Sequence, residues 1–132
     1  MNSSKTILLV EDNQDDVFIF NKALKKAQIA NPVHVVTNGQ EAVDYLSATG
    51  KYADREKYPL LGILFLDLKL PYLDGFEVLA WLQGQPSLQS FATIVLSGSD
   101  EPNDRQRAST LGARSYLVKP PKAADLRQFT IK

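Results

Sequence analysis

Residues 62–67 read Gly-Ile-Leu-Phe-Leu-Asp, an apolar run that ends in a carboxylate. A short, continuous apolar run is typical of a strand that is buried on both faces of a parallel sheet. Similar runs occur elsewhere in the chain. We therefore predict five strands, at residues 6–10, 33–37, 62–66, 92–96 and 115–118.

Amphipathic segments separate these strands. In residues 14–27, Val17, Phe20, Leu24 and Ala27 recur at spacings of three or four, which places them on one face of a helix. Asn13 precedes this segment and belongs to a residue type that caps helices. We predict five helices, at residues 14–27, 39–46, 75–83, 104–111 and 122–129.

The strict alternation of strands and helices indicates parallel strands joined by right-handed crossovers, with helices on both faces of the sheet. We therefore predict an α/β fold of the flavodoxin-like, doubly wound type, with a five-stranded parallel sheet in the order 2-1-3-4-5. The 132 residues suit one hydrophobic core. This length predicts a single domain over residues 1–132, with its core at about 5–129.

Composition excludes several classes of protein. Fifteen Lys and Arg residues balance fifteen Asp and Glu residues, so net charge gives no reason to expect nucleic acid or an anionic membrane as the main partner. Cysteine is absent, which excludes disulfide scaffolds, thiolate zinc sites and thiol catalysis. The apolar run after residues 1–5 is too short for a signal peptide, and we expect a soluble cytoplasmic domain.

Residues 47–61 are longer than the usual connection of two to six residues between a helix and a strand. They contain Tyr52, Tyr58 and a mixture of charged residues. The sequence leaves open whether they extend the second helix, form an ordered surface loop or make an insertion that binds a partner.

Polar side chains follow four of the five predicted strands. Glu11 and Asp12 follow the first strand, Asp67 the third, Ser97 ends the fourth, and Lys119 follows the fifth. The carboxyl ends of parallel strands meet at one edge of a sheet, and ligands bind where the strand order reverses, here between the first and third strands. We therefore expect these groups to lie together.

Carboxylates that lie close together repel one another, and a hard divalent cation relieves this repulsion. An all-oxygen site with few protein ligands suits Mg²⁺. With Lys119 and Ser97 beside it, the site suits a phosphoryl group, and Asp67 is the best placed nucleophile. Each residue alone has a plainer interpretation, as a helix cap, a turn or a surface side chain, but the combination is improbable by chance.

The chain resembles the receiver domain of two-component response regulators from about residue 5 to residue 129. The matching segments are ILLVED at residues 7–12, FLDLKLPYLDG at 65–75, IVLS at 94–97 and GARSYLVKP at 112–120. The long segment before the third strand is also similar to that of phytochrome-associated single-domain response regulators. We identify no serious departure from the pattern of the family.

The resemblance implies a phosphoacceptor and a metal site. Asp67 would accept a phosphoryl group from the phosphohistidine of a sensor kinase, from a phosphotransfer protein or from a small donor such as acetyl phosphate. The Mg²⁺ ion would be held by Glu11, Asp12, Asp67 and the main-chain carbonyl of Lys69. The protein would not be an enzyme, although it would assist its own phosphorylation and dephosphorylation.

The resemblance also implies a conformational switch. Lys119 would pair with the phosphoryl oxygens, Ser97 would move towards them, and Tyr116 would rotate inward with that movement. Pro120 matches a proline that usually follows a cis peptide bond. The switch would change the face formed by the fourth helix, fifth strand and fifth helix, through a shift between two pre-existing states.

Three other interpretations compete with this one. A phosphatase of the haloacid-dehalogenase type needs a second Asp two residues after the nucleophile, where this chain has Lys69. A degenerate receiver would bind partners regardless of phosphorylation, which the complete set of site residues disfavours. A nucleotide-binding domain would need a Gly-rich loop after the first strand. The downstream target and a homodimer are left open, and we expect a stand-alone module without a membrane segment.

Overall fold

A computed structural model of the chain describes residues 6–130, so Lys5, where the predicted core begins, lies outside the described residues. The elements alternate as predicted. The strands are β1 (Thr6–Val10), β2 (Val33–Val36), β3 (Leu61–Leu66), β4 (Ala92–Ser97) and β5 (Ser115–Val118). The helices are α1 (Gln14–Lys26), α2 (Gly39–Ser47), α3 (Gly75–Gln83), α4 (Pro102–Thr110) and α5 (Ala123–Thr130).

All strand pairs in the sheet are parallel, and the order is β2-β1-β3-β4-β5. This confirms the predicted fold class and strand order. Strand β1 pairs with β2 on one side and β3 on the other, so that Val10 lies between Val36 and Leu66. Strand β2 is therefore added on one side of β1 and all later strands on the other side, so the strand order reverses between β1 and β3.

Two hydrophobic cores lie on opposite faces of the sheet. Ile7 and Leu9 of β1 belong to one core, with Phe20 of α1 and Leu126 of α5. The other core contains the alternate β1 residues together with side chains from α2, α3 and α4. The period of two along β1 thus sends alternate residues to opposite cores, and the helices cover both faces as predicted.

The predicted boundaries needed small corrections. The second strand ends at Val36 and not at Thr37, because the Thr37 amide donates to Oε1 of Glu41 rather than continuing the sheet. The fourth helix begins at Pro102, two residues before the prediction, since proline fits the first position of a helix. Asn13 caps α1 as expected, and its side chain accepts a hydrogen bond from the Asp16 amide. Within residues 6–130, no helix is both long and apolar enough to cross a bilayer.

Residues 47–61 form an ordered loop, so the alternative prediction that they extend the second helix is wrong. Helix α2 ends at Ser47, where Ala48 adopts a left-handed conformation with φ 56° and ψ 47°. A short 3-10 helix follows at Gly50–Tyr52. The Arg55 guanidinium donates hydrogen bonds to the carbonyls of Tyr45, Leu46 and Tyr58, at 2.9–3.2 Å.

Aromatic side chains hold this loop on the sheet. Tyr52 is buried, and its ring centroid lies 5.2 Å from that of Tyr45 and 5.0 Å from that of Tyr58. His34 of β2 lies 5.8 Å from the rings of both Tyr45 and Tyr58. The loop is therefore part of the packed structure, and whether it also binds a partner stays a prediction.

Candidate functional site

Three carboxylates meet at the carboxyl ends of β1 and β3. The Glu11 amide donates to the Val36 carbonyl, and the Asp67 amide donates to the Val10 carbonyl, so both residues continue the sheet by one position. Each of Glu11, Asp12 and Asp67 offers one oxygen, and these oxygens lie within 4.8 Å of one another. Glu11 and Asp67 are buried, at 2% and 6% exposure, while Asp12 is exposed. The sheet thus assembles the predicted acidic cluster.

Lys119 reaches the same cluster from the end of β5. Its amide donates to the Ser97 carbonyl at 2.8 Å, which fixes the start of the loop, and its peptide bond to Pro120 is cis. The Lys119 ammonium nitrogen lies 2.8 Å from Oε1 of Glu11 and 3.1 Å from Oδ2 of Asp67. The structure therefore brings the predicted lysine to the predicted carboxylates.

Asp16 is a further member that the sequence analysis missed. Its Oδ2 lies 2.9 Å from the Lys119 ammonium nitrogen, and its side chain is 32% exposed. The cap formed by Asn13 sets Asp16 in the first turn of α1, directly after the strand-end carboxylates. A capped helix that starts this close to a strand end must place its first-turn side chains at the same edge of the sheet. The cap residue Asn13 directly after β1 was therefore the feature of the sequence from which Asp16 could have been predicted.

The predicted switch residues lie in one hydrogen-bond network around Ser99. The buried Ser97 hydroxyl accepts a hydrogen bond from the Ser99 amide at 3.0 Å, and the Tyr116 hydroxyl donates to the Ser99 carbonyl at 2.8 Å. The Ser99 hydroxyl donates to Oδ2 of Asp104 in α4 at 2.9 Å. Within residues 6–130, no hydrogen bond joins Ser97 to Asp67, so Ser97 is engaged in its own loop.

The loop after Asp67 is held close to the carboxylate. The Lys69 amide donates to Oδ1 of Asp67 at 3.3 Å, and the Gly75 amide donates to the Leu68 carbonyl at 2.9 Å. A Cβ atom at Gly75 would lie only 2.3 Å from the Asp67 carbonyl oxygen. Only glycine allows α3 to start this close to the end of β3. The metal-ligating role of the Lys69 carbonyl stays a prediction.

Burial and charge together determine how these groups ionise. Burial raises the pKa of Glu11 to about 7, and the nearby Asp67 charge acts in the same direction, against the effects of Lys119 and the Asn13 amide. Burial alone would lower the pKa of Lys119, but the carboxylates of Glu11, Asp16 and Asp67 raise it above its ordinary value. The ammonium form of Lys119 is therefore maintained at neutral pH.

The residues at this site fit a divalent cation. Oxygen atoms are the donors that hard cations prefer, and the cluster offers one from each of three carboxylates. Oε1 of Glu11 is buried and lacks a hydrogen bond of good geometry, although it lies 2.8 Å from the Lys119 nitrogen. A buried carboxylate oxygen in that state is suited to coordinate a cation.

Comparisons with known proteins agree with this geometry. A family model described as the response regulator receiver domain matches residues 7–130. Response regulator Rcp1 of Synechocystis is 34% identical over 125 residues, which covers 95% of this chain and 83% of that protein.

Solved structures of related proteins are also similar. Response regulator RPA3017, from red light signalling of R. palustris, has a TM-score of 0.85 at 31% identity and covers 94% of this chain and 90% of its own. The phosphorylated cyanobacterial phytochrome response regulator RcpA has a TM-score of 0.80 at 34% identity, with 96% and 89% covered. The Mn²⁺-bound form of Rcp1 has a TM-score of 0.79 at 32% identity, with 96% and 88% covered.

Proposed function

Because this chain belongs to the response regulator receiver family of two-component signalling, we propose that Asp67 accepts a phosphoryl group from a phosphohistidine. The donor is a sensor histidine kinase or a phosphotransfer protein, and acetyl phosphate is a small substitute. The receiver passes the signal to a downstream protein. It catalyses no reaction on a separate substrate.

One observation carries this proposal. The Asp67 carboxylate, at the end of the central strand β3, lies 3.1 Å from the Lys119 ammonium and beside the carboxylates of Glu11 and Asp12. A carboxylate oxygen of Asp67 attacks the phosphorus, the O–P bond forms, and the P–N bond to the donor imidazole breaks. The imidazole leaves with the electron pair of that bond. The remaining groups hold the reactants in line and balance their charge.

The proposed metal is Mg²⁺, held by Glu11, Asp12, Asp67 and the main-chain carbonyl of Lys69. When bound, it supplies positive charge that offsets the repulsion between the acceptor carboxylate and the incoming phosphoryl oxygens. Receiver domains bind divalent metal, and the Mn²⁺-bound form of Rcp1 supports this assignment by likeness. Glu11 and Asp67, both buried, present their oxygens from neighbouring strands with little freedom to move.

Ser97, Tyr116 and Lys119 convert phosphorylation into a change of shape. Lys119 pairs with the phosphoryl oxygens, and Ser97 leaves the Ser99 amide to donate its hydroxyl to them. Tyr116 follows, because its hydroxyl is hydrogen-bonded to the same Ser99. The face made by α4, β5 and α5 then favours the active state, since only that state gains the charge-assisted contacts.

Labelling with a radioactive phosphoryl donor tests the proposal. We expect Mg²⁺-dependent, acid-stable labelling of the wild-type protein by acetyl phosphate, and no labelling of Asp67→Asn, which lacks the nucleophilic oxygen. Asp54→Asn, an equal change at an exposed carboxylate of the loop after α2, serves as the control and labels normally. Labelling that persists in Asp67→Asn removes the assignment.

A further inference from the structure

The Lys119 ammonium is surrounded by three carboxylates that differ in one respect. Nζ lies 2.8 Å from Glu11, 2.9 Å from Asp16 and 3.1 Å from Asp67, and the lysine side chain is only 15% exposed. The ammonium donates hydrogen bonds to Asp16 and Asp67, whereas its contact with Glu11 is an ion pair. Glu11 and Asp67 also belong to the acidic cluster that suits a cation, whereas among residues 6–130 Asp16 does not.

This difference matters when a divalent cation binds. The cation and Lys119 are both positive and both draw on the oxygens of Glu11 and Asp67, so they compete for these ligands and repel each other. Lysine is a flexible point charge on a four-carbon chain. Without another partner, its ammonium would leave the buried site for solvent as the cation takes the two shared carboxylates.

Asp16 is placed to prevent that loss. Its backbone is fixed in the first turn of α1, because its amide donates to Oδ1 of Asn13 at 3.0 Å. Its carboxylate contacts the ammonium from outside the cation cluster, so cation binding leaves that contact intact. Its negative charge also lowers the repulsion between the ammonium and the cation.

We propose that Asp16 is a positioning residue, which retains Lys119 beside Asp67 while the cation occupies the shared carboxylates. The inference rests on the proposed function and deepens it. Asp16 touches neither the phosphoryl group nor the reacting atoms. It acts through Lys119 alone.

A plainer role for Asp16 is that of an acidic residue near the positive end of a helix dipole. Asp15 provides a matched control for that role, since it lies in the same first turn of α1, is exposed, and has no contact with Lys119 among the described residues. Asp15→Asn and Asp16→Asn remove the same charge from the same helix end. Only Asp16→Asn weakens the contact with the ammonium.

The first measurement is the affinity for Mg²⁺ by titration calorimetry, with no phosphoryl donor present. We expect Asp16→Asn to bind Mg²⁺ about fivefold more weakly than the wild type. The affinity of Asp15→Asn should stay within about twofold of the wild type, because the charge of the exposed Asp15 is screened by solvent. Asp16→Glu, which keeps the carboxylate on a longer side chain, should recover much of the affinity. Far-ultraviolet circular dichroism checks that each variant is folded.

The second measurement is the rate of Asp67 labelling by acetyl phosphate at saturating Mg²⁺. We expect Asp16→Asn to be slower by about three- to tenfold, because the ammonium is no longer retained at the acceptor, and Asp16→Glu to be restored. Equal behaviour of Asp15→Asn and Asp16→Asn in both measurements overturns the inference. A wild-type protein that binds Mg²⁺ but is not labelled instead overturns the proposed function.

Discussion

The Glu11 carboxylate lies in an environment that disfavours its negative charge. It lies at the end of the interior strand β1 with 2% exposure, and burial raises the pKa of its side chain to about 7. Lys119 offsets part of this cost, and a divalent cation would offset more. In the metal-free protein, the Glu11 carboxyl therefore takes up a proton near neutral pH.

This shift predicts how pH affects stability. The pKa of Glu11 is about 7 in the folded chain against 4.5 ordinarily, so between these values the folded state binds more protons than the unfolded state. The contribution of Glu11 to the free energy of unfolding therefore falls as pH rises from about 4.5 to 7, by roughly 1–3 kcal/mol. Urea denaturation from pH 5 to 8 in the presence of a chelator measures it.

Glu11→Gln provides the comparison for this prediction, because glutamine has a similar size and does not titrate. The difference in unfolding free energy between the two proteins should grow in favour of the variant as pH rises through this window. A difference that is constant with pH would show that Glu11 titrates at its ordinary pKa.

The C-terminal end of α2 is capped by a residue that is poorly suited to its conformation. Ala48 holds a left-handed conformation, with φ 56°, that glycine adopts at much lower cost. No basic residue lies in the last turn of α2. The Arg55 guanidinium supplies the missing positive charge from the loop, through hydrogen bonds to the last carbonyls of the helix.

Ala48→Gly should stabilise the protein. The change removes one methyl group and relieves the left-handed conformation, and we expect a gain of about 0.5–1 kcal/mol in the free energy of unfolding after the entropic cost of glycine. Ala53→Gly is the control, because Ala53 has an ordinary helical conformation with φ −69°. A gain of equal size in Ala53→Gly would contradict this explanation.

Arg55→Lys should destabilise the protein by about 1–3 kcal/mol, although the charge is kept. Two guanidinium nitrogens of Arg55 reach carbonyls of Tyr45, Leu46 and Tyr58, and an ammonium on a single nitrogen cannot span these positions. Chemical denaturation measures the loss. Lys57→Arg, at an exposed position of the same loop, should leave the stability unchanged. An unaltered midpoint for Arg55→Lys would show that the cap is unimportant.

The sequence predicted the regular elements because apolar periodicity directly records burial in strands and helices. The ends of β1, β3 and β5 also followed from it, and with them the meeting of Glu11, Asp67 and Lys119. It left the structure of residues 47–61 open, with an ordered loop as one alternative, because the order of this loop depends on hydrogen bonds from Arg55 to carbonyls, which no periodic pattern records. Asp16 was not predicted because it lies in the first turn of a helix, whereas the candidate residues were those at the ends of strands.

The candidate site joins residues that are distant from one another along the chain. Asp16 comes from α1, Asp67 from β3 and Lys119 from β5, and the sheet between them is shared by two hydrophobic cores. A ligand bound at this edge of the sheet therefore stabilises the fold as a unit, because unfolding of either half separates its contacts.

Mg²⁺ should accordingly raise the thermal stability of the whole chain in one cooperative transition. At a free concentration of one hundred times the dissociation constant, we expect about 2.7 kcal/mol of added stability. Calorimetry in MgCl₂, against NaCl of matched ionic strength, measures it. Asp67→Asn, which removes one carboxylate from the cluster, should lose most of the gain. An equal gain in the variant would indicate binding elsewhere.

The position of Lys119 in the last strand has a consequence for the newly made protein. A ribosome delivers Glu11, Asp16 and Asp67 well before Lys119, and β5 can dock only after β4 is in place. A nascent polypeptide thus holds its acidic groups without the ammonium that neutralises them. The charge balance of the site is thus complete only after Lys119 has been made and β5 has paired with β4.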